Sequence, residues 1–400
     1  MDANSRFLVR SFRKYYRENK PIMPSRFGRR EFGFMFFDRT YMQRHTAYPR
    51  GEDLHRDLVV QVPAHCYYST AYYRSPGAPT MEEKGWLGAD LIFDLDADHL
   101  EGAENMTYTE MLAQVKTEMI RLVDSFLFGD FGFSPEDVDI VFSGGRGYHA
   151  HVSKETVLAL GSAERREIVD YVTGNGLNMD WAFPPHHTVT STSPDGRHSN
   201  VSHDRLVPAS GDGGWKGRLR RGLETLLEDA GALEPKEFRR KYPSVAAFKN
   251  DRLSKLLYEM DKSQKSILAR NTLAPMSSKK MQEAVIEIME KDVRPAMSGE
   301  VDEPVTADIK RLIRLPGSLH GKSGLRVTPL SRDELTPFDP LRDAIPAQFN
   351  DEPVMVTMRK DEDLVFRDER YRLSGPETVP ECLAVFLTGR KMADIGQVLD

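Results

Sequence analysis

Leu91-Ile92-Phe93-Asp94-Leu95-Asp96 and, further on, Val138-Asp139-Ile140-Val141-Phe142-Ser143-Gly144-Gly145-Arg146-Gly147-Tyr148-His149-Ala150-His151-Val152 are the two runs whose reading decides the fold. In the first, part of an extended stretch from Trp86 to Asp98, Leu91, Phe93 and Leu95 alternate with Ile92, Asp94 and Asp96. That period of two predicts a strand running into a turn, with both acids leaving the same face. In the second, Val138–Phe142 reads as a strand that turns through Ser143–Gly147 and resumes extended, so the two arms are expected to pair. Between the runs, Thr107 and Glu110 form a capping-box pattern, and Met111, Leu112, Val115, Met119, Leu122, Val123 and Phe126 follow at helical spacing. The helix is expected to end near Gly129. The fold class is therefore α/β.

Outward from this centre, residues 205–297 turn to charged, helix-like segments such as Arg218–Glu228, Leu253–Asp261 and Lys279–Lys291. They predict an inserted helical subdomain over 205–297, with 1–204 and 298–400 forming the core. Asp308–Leu315 reads as a short helix stopped by Pro316, and Leu325–Leu330 as extended chain behind the loop Gly317–Gly324. A last helix is expected near Pro380. No fixed-period repeat or low-complexity tract is present, which excludes solenoid and disordered classes.

Four hundred residues with 40% apolar side chains suffice for a large core. The start is polar and no long uncharged apolar run occurs, so secretion and membrane insertion are not expected. Cys66 and Cys382 are the only cysteines, too few for a disulfide framework or a four-cysteine zinc site. A reducing cytoplasm, in association with the nucleoid, is the expected location. The net charge of −6 gives no global sign of nucleic-acid binding, so such a function must rest on local patches. Residues 1–30 hold nine basic side chains against Asp2 and Glu18, with Phe7, Phe12, Tyr15 and Tyr16 interleaved. This segment reads as an amphipathic helix with Leu8, Phe12 and Tyr15 on the core side and the arginines in solvent.

Three elements carry chemistry. Asp94 and Asp96 at i, i+2 put two carboxylates about 6 to 7 Å apart along one face, close enough to share hard divalent cations. The D-x-D pattern alone also occurs in glycosyltransferases, phosphatases and solvated strand ends; Asp98 at the fifth place disfavours the phosphatase version. Ser143–His149 combines glycines that permit a tight turn with Arg and His donors, which suits an anion, although a plain hairpin turn has the same look. The third is Leu312-Ile313-Arg314-Leu315-Pro316-Gly317-Ser318-Leu319-His320-Gly321-Lys322-Ser323-Gly324-Leu325. Its Gly-Lys-Ser is not a Walker A loop, because proline stands at 316 where that spacing needs glycine.

Together, in this order and at these separations, the three elements resemble the ordered motifs of archaeal/eukaryotic-type DNA primase small (catalytic) subunits. Arg30-Glu31-Phe32-Gly33-Phe34 resembles a segment near the amino end of the same proteins, so the likeness runs from about residue 30 to 330. It implies a mixed α+β core in which two sheet-containing units flank the active-site cleft. It implies that Asp94, Asp96 and Asp302 bind two Mg²⁺ or Mn²⁺ ions, and that Ser143, Arg146, His149, Arg314, His320 and Lys322 hold the triphosphate. Asp98 and Asp308 are left as local caps. Many archaeal relatives carry a cysteine/histidine zinc knuckle after the D-x-D strand; His99–Thr109 has no cysteine, so structural zinc is not expected.

The implied activity is DNA-directed nucleotidyl transfer that makes short RNA or DNA primers on single-stranded DNA for replication. The implied partners are a primase large subunit in a heterodimer, the template, nucleoside triphosphates and a replicative polymerase. Leu383–Leu387 or the helical insert could supply the subunit contact. One rival is the related polymerase domain of end-joining systems; the helical insert and the Arg-Glu-Phe stretch favour primase. Another is a non-catalytic single-strand-binding homologue, against which the intact Asp94, Asp96 and Asp302 argue.

Overall fold

The alternation over residues 91–96 does form a strand, but the longer run breaks at Asp90. Trp86–Ala89 pairs with Ala71–Tyr73, whereas Leu91–Asp96 joins a different sheet. The computed structural model describes residues 1–97, 102, 105–192 and 198–396. Asp98 lies outside the described residues.

Two units are distinguished by their internal contacts: Met1–Asp124 with Gly132–Val169 and Glu300–Asp400, and Ser125–Phe131 with Asp170–Gly299. The first holds two four-stranded antiparallel sheets. One runs Leu312–Arg314, His65–Ser69, Phe32–Met35, Gln43–Thr46; the other runs Thr328–Leu330, Val138–Phe142, Gly147–Val152, Leu91–Asp96. The hairpin pairing of 138–142 with 147–152 is present, and Leu91–Asp96 pairs along the free edge of its second arm. The architecture is mixed α/β.

The break at Asp90 has a physical cause. The Asp90 carboxylate is buried and meets Arg30 Nη1 at 2.7 Å. The Arg30 guanidinium also donates to the carbonyls of Ser25, Ser69 and Thr70 at 3.0, 2.8 and 2.9 Å. Its neighbour Glu31 is fully buried on Lys84 at 2.6 Å and on Arg44. The Arg30-Glu31 pair is therefore structural wiring under the first sheet.

Asp308–Leu315 is not a helix. The helix there is Glu303–Ala307, and Leu312–Arg314 is a strand pairing with Tyr67–Ser69. Edge pairing to the sheet overrides a weak helical spacing: Ile313 enters the core while Arg314 takes the opposite face beside Tyr67. Asp308 follows the helix as its C-terminal cap residue, and its side chain accepts from the Lys310 N–H at 2.9 Å. The carboxyl-terminal helix, Glu381–Gly389, is buried along its whole length, so Leu383–Leu387 is core and not a partner surface.

The second unit pairs two long helices, Gly214–Ala232 and Asn250–Arg270, through buried Leu219, Leu223, Leu226, Leu253, Leu256 and Met260. It also contains a hairpin, Pro185–Thr192 with His198–Arg205, ahead of the residue at which the charged helical pattern begins. Among the described residues no helix is long and apolar enough to cross a membrane.

Candidate active site

A cleft of about 530 Å³ in the first unit is walled on one side by Asp94, Asp96 and His149 and on the other by Tyr67, Arg314, His320 and Lys322. Ser143, Gly145, Arg146 and Arg390 line it as well. Strand register builds the acidic wall: Asp94 stands opposite His149, and His149 Nε2 lies 3.2 Å from Asp94 Oδ1. Asp96 stands opposite Gly147, where a Cβ would lie 2.4 Å from the Leu95 carbonyl, so only glycine permits this approach.

The Ser143–Gly147 turn depends on its own residues. Gly144 has φ +76°, and a Cβ there would meet His320 Cβ at 2.7 Å. Ser143 Oγ accepts from the N–H groups of Gly145 and Gly147 at 3.2 and 3.3 Å, leaving its own O–H to offer. Ser323 Oγ donates to the Gly144 carbonyl and ties the turn to the His320 loop. Tyr108 Oη donates to the Gly145 carbonyl at 2.6 Å, and Arg390 lies 4.0 Å over the Tyr108 ring.

Arg314 stacks over Tyr67 at 4.6 Å and its Nη1 contacts His65 Nδ1. The Gly321 N–H donates to the same Nδ1 at 3.1 Å. Two donors on one ring nitrogen make it an acceptor, so the His65 imidazole is neutral. Burial, then the charges of Arg314 and Lys322, pushes its pKa down to about 2. The His320 ring packs edge-on against His65 at 4.8 Å, and burial followed by Arg314 holds it well below the usual histidine range. The cation charge lining the cleft thus comes from Arg146, Arg314, Lys322 and Arg390, and the His320 ring is neutral.

Eight of the nine residues expected at the site line this cleft together. Asp302 does not line it: its N–H donates to the Asp94 carbonyl at 3.0 Å, and its side chain lines a small recess with Asp94, Asp96, Glu118 and Glu300. Among the described residues no group of three or more His, Cys, Asp or Glu side chains is drawn together tightly enough to hold a metal ion. The donor chemistry nonetheless suits a hard divalent cation, since five carboxyl groups border one recess. Burial raises the Glu118 pKa, against the lowering by Arg121 and with a smaller push from Glu300. Glu118, Glu300, His65, Tyr67 and Arg390 carried no motif; each is brought here by packing, and no local pattern announces it.

Residues 93–332 match the family model described as DNA primase small subunit. The chain is 43% identical to the DNA primase small subunit PriS of Methanocella arvoryzae, over 98% of this chain and 99% of that protein. It is 41% identical to PriS of Methanococcoides burtonii over 99% and 100%, and 42% identical to PriS of Methanothrix thermoacetophila over 98% and 99%. Full-length likeness of this kind, on a chain that gathers the three ordered motifs into one cleft, means that the protein belongs to the DNA primase small subunits, a family of nucleotidyltransferase enzymes.

Proposed function

We propose that this cleft joins nucleoside triphosphates on a single-stranded DNA template by two-metal phosphoryl transfer, as the catalytic subunit that makes primers for replication. The observation that carries the reading is the Asp94–His149 register, which sets a carboxylate face against a wall of Arg146, Arg314 and Lys322. Phosphoryl transfer needs positioning and charge stabilisation more than covalent help, and these groups supply both. Asp94, Asp96 and Asp302 would hold Mg²⁺ or Mn²⁺, which when bound stabilises the charge on the attacking and leaving oxygens. Arg146, Arg314 and Lys322 bind the triphosphate, Ser143 and His320 are uncharged groups in contact with it, and His149 fixes the Asp94 carboxylate. Purified chain incubated with primed single-stranded DNA, Mg²⁺ or Mn²⁺ and labelled nucleotides of either sugar should lengthen the primer. No extension with either metal and either sugar overturns the reading.

Arg146→Ala and His320→Ala should weaken nucleotide binding, each by about 1.5 to 3 kcal/mol where its hydrogen bond to the charged phosphate is lost. Single-stranded DNA affinity should change little. Filter binding that shows the reverse, lost DNA affinity with normal nucleotide affinity, would make the turn a template contact.

Starting a strand requires two free nucleotides to be ordered on the template at once, without a duplex to anchor either. The two cysteines of this chain cannot hold an iron–sulfur cluster, a feature that the family resemblance assigns to a separate large subunit. The isolated chain should therefore extend an annealed primer readily and initiate poorly, and the large subunit should raise initiation far more than extension. Equal dinucleotide yields on an unprimed template with and without it would show that this chain primes alone.

A further inference from the structure

Arg6, Arg10, Arg13 and Arg17 are all exposed on the first helix, Ala3–Glu18, with Lys20 exposed just beyond its end. At the α-helical rotation the four arginines fall within an arc of about 60° and span about 16 Å. The opposite face carries the buried Phe7, Leu8, Phe12, Tyr15 and Tyr16. Lys14, on the flank, is paired with Glu381 at 3.2 Å, but none of the five stripe residues has an ion-pair partner among the described residues. Like charges at i, i+3 and i, i+4 destabilise a helix, and a cation in the first turn opposes the macrodipole. No acid stands in the first turn itself, and the N-cap Asp2 offsets only part of this cost through its interaction with Arg6. Beyond Asp2 at the helix start and the Phe7 ring under Arg10, the stripe has little internal compensation, and a line of exposed cations of this kind points outward to an anion.

We infer that this stripe is a track for the phosphate backbone of single-stranded nucleic acid that extends beyond the cleft, an inference that rests on the template-directed reading above. A straight, evenly spaced line of guanidinium groups complements a linear polyanion, and arginine forks match phosphate oxygens in pairs. The helix is also fixed to the site. Tyr15 Oη donates to the Gly317 carbonyl at 2.8 Å, the Leu319 N–H donates to Tyr16 Oη at 3.2 Å, and the Ile22 N–H donates to the Pro316 carbonyl at 3.0 Å. These contacts clamp the loop that presents His320 and Lys322, so the helix grips the cleft wall with one face and turns its arginines to solvent with the other.

The test compares the full-length chain with an Arg6→Gln/Arg10→Gln/Arg13→Gln/Arg17→Gln variant, measuring the affinity for long single-stranded DNA across a salt series. Each lost phosphate contact should lower the slope of log affinity against log salt by about 0.7, so the variant should lose about 2 to 3 slope units. Affinity for an oligonucleotide only long enough to fill the cleft, and extension on such a template, should stay at the wild-type level. Helical circular dichroism and melting temperature should be unchanged or raised, since repulsion is relieved. A second variant, Lys236→Gln/Arg240→Gln/Lys249→Gln/Arg252→Gln, removes the same charge from exposed positions elsewhere and should leave the slope in place. The idea is overturned by an unchanged slope in the stripe variant, by an equal loss in the second variant, or by an unchanged slope with lost capture of the large subunit, which would make the stripe a protein interface. A wild-type chain that binds DNA with a steep slope but joins no nucleotides would refute the catalytic reading and leave the stripe standing.

Discussion

Asp94→Asn should lose nucleotide joining by more than about 100-fold, the upper range for removing a mere outer-shell partner of a metal ligand. The substitution keeps the side-chain volume and an oxygen that can still accept from His149 Nε2, now 3.2 Å away. What it removes is one negative charge from a face that also carries Asp96 and borders Asp302, Glu118 and Glu300. If that face balances divalent cations, rate depends on the charge and not on the shape. The fold should not suffer: Asp94 is partly exposed, and relief of carboxylate crowding should leave the melting temperature equal or higher. Asp96→Asn should behave alike. Primer extension by Asp94→Asn at near the wild-type rate, with matched nucleotide and metal, would remove Asp94 from the site.

The largest stability effect is expected at Arg30. It is 1% exposed, it forms an ion pair with an equally buried Asp90, and it satisfies three backbone carbonyls besides. Arg30→Met leaves the Asp90 carboxylate buried beside Tyr72 without its cation, which costs about 3 to 5 kcal/mol for a broken buried pair. Arg30→Lys should rescue little, because a single ammonium cannot reach the carbonyls of Ser25, Ser69 and Thr70 and the Asp90 carboxylate together. Replacing both partners, Arg30→Met with Asp90→Leu, should recover part of the loss by removing the unpaired charge. Denaturant unfolding followed by circular dichroism reads all three. A stability in Arg30→Met within about 0.5 kcal/mol of wild type, the range of ordinary surface substitutions, would show that the buried pair is dispensable.

The strands of the catalytic sheet were legible because alternation survives wherever one face is buried: Leu91, Phe93 and Leu95 enter the core and Asp94 and Asp96 do not. The turn was legible because Gly144 and Gly147 occupy places that no side chain fits. Elements whose state is set by distant partners were not legible. Leu312–Arg314 has helical spacing and becomes a strand because Tyr67–Ser69 offers an edge. Asp90 looked like part of one continuous strand until Arg30, remote in sequence, claimed it.

The same division holds for the chemistry. Sequence by itself determined the donor types and their order: two acids on one strand face, a glycine turn with Arg146 and His149, and a loop with Arg314, His320 and Lys322. Residue identity and local period are properties of short segments, and backbone stereochemistry reads them without help from the rest of the chain. Only the tertiary structure decided that two sheets face each other across these groups, that Arg390 enters the cleft behind Tyr108, and that His65 and His320 are uncharged there. Charge state depends on burial and on neighbours far apart in the chain, so desolvation and the Arg314 cation settle it, and neither exists until the chain has folded.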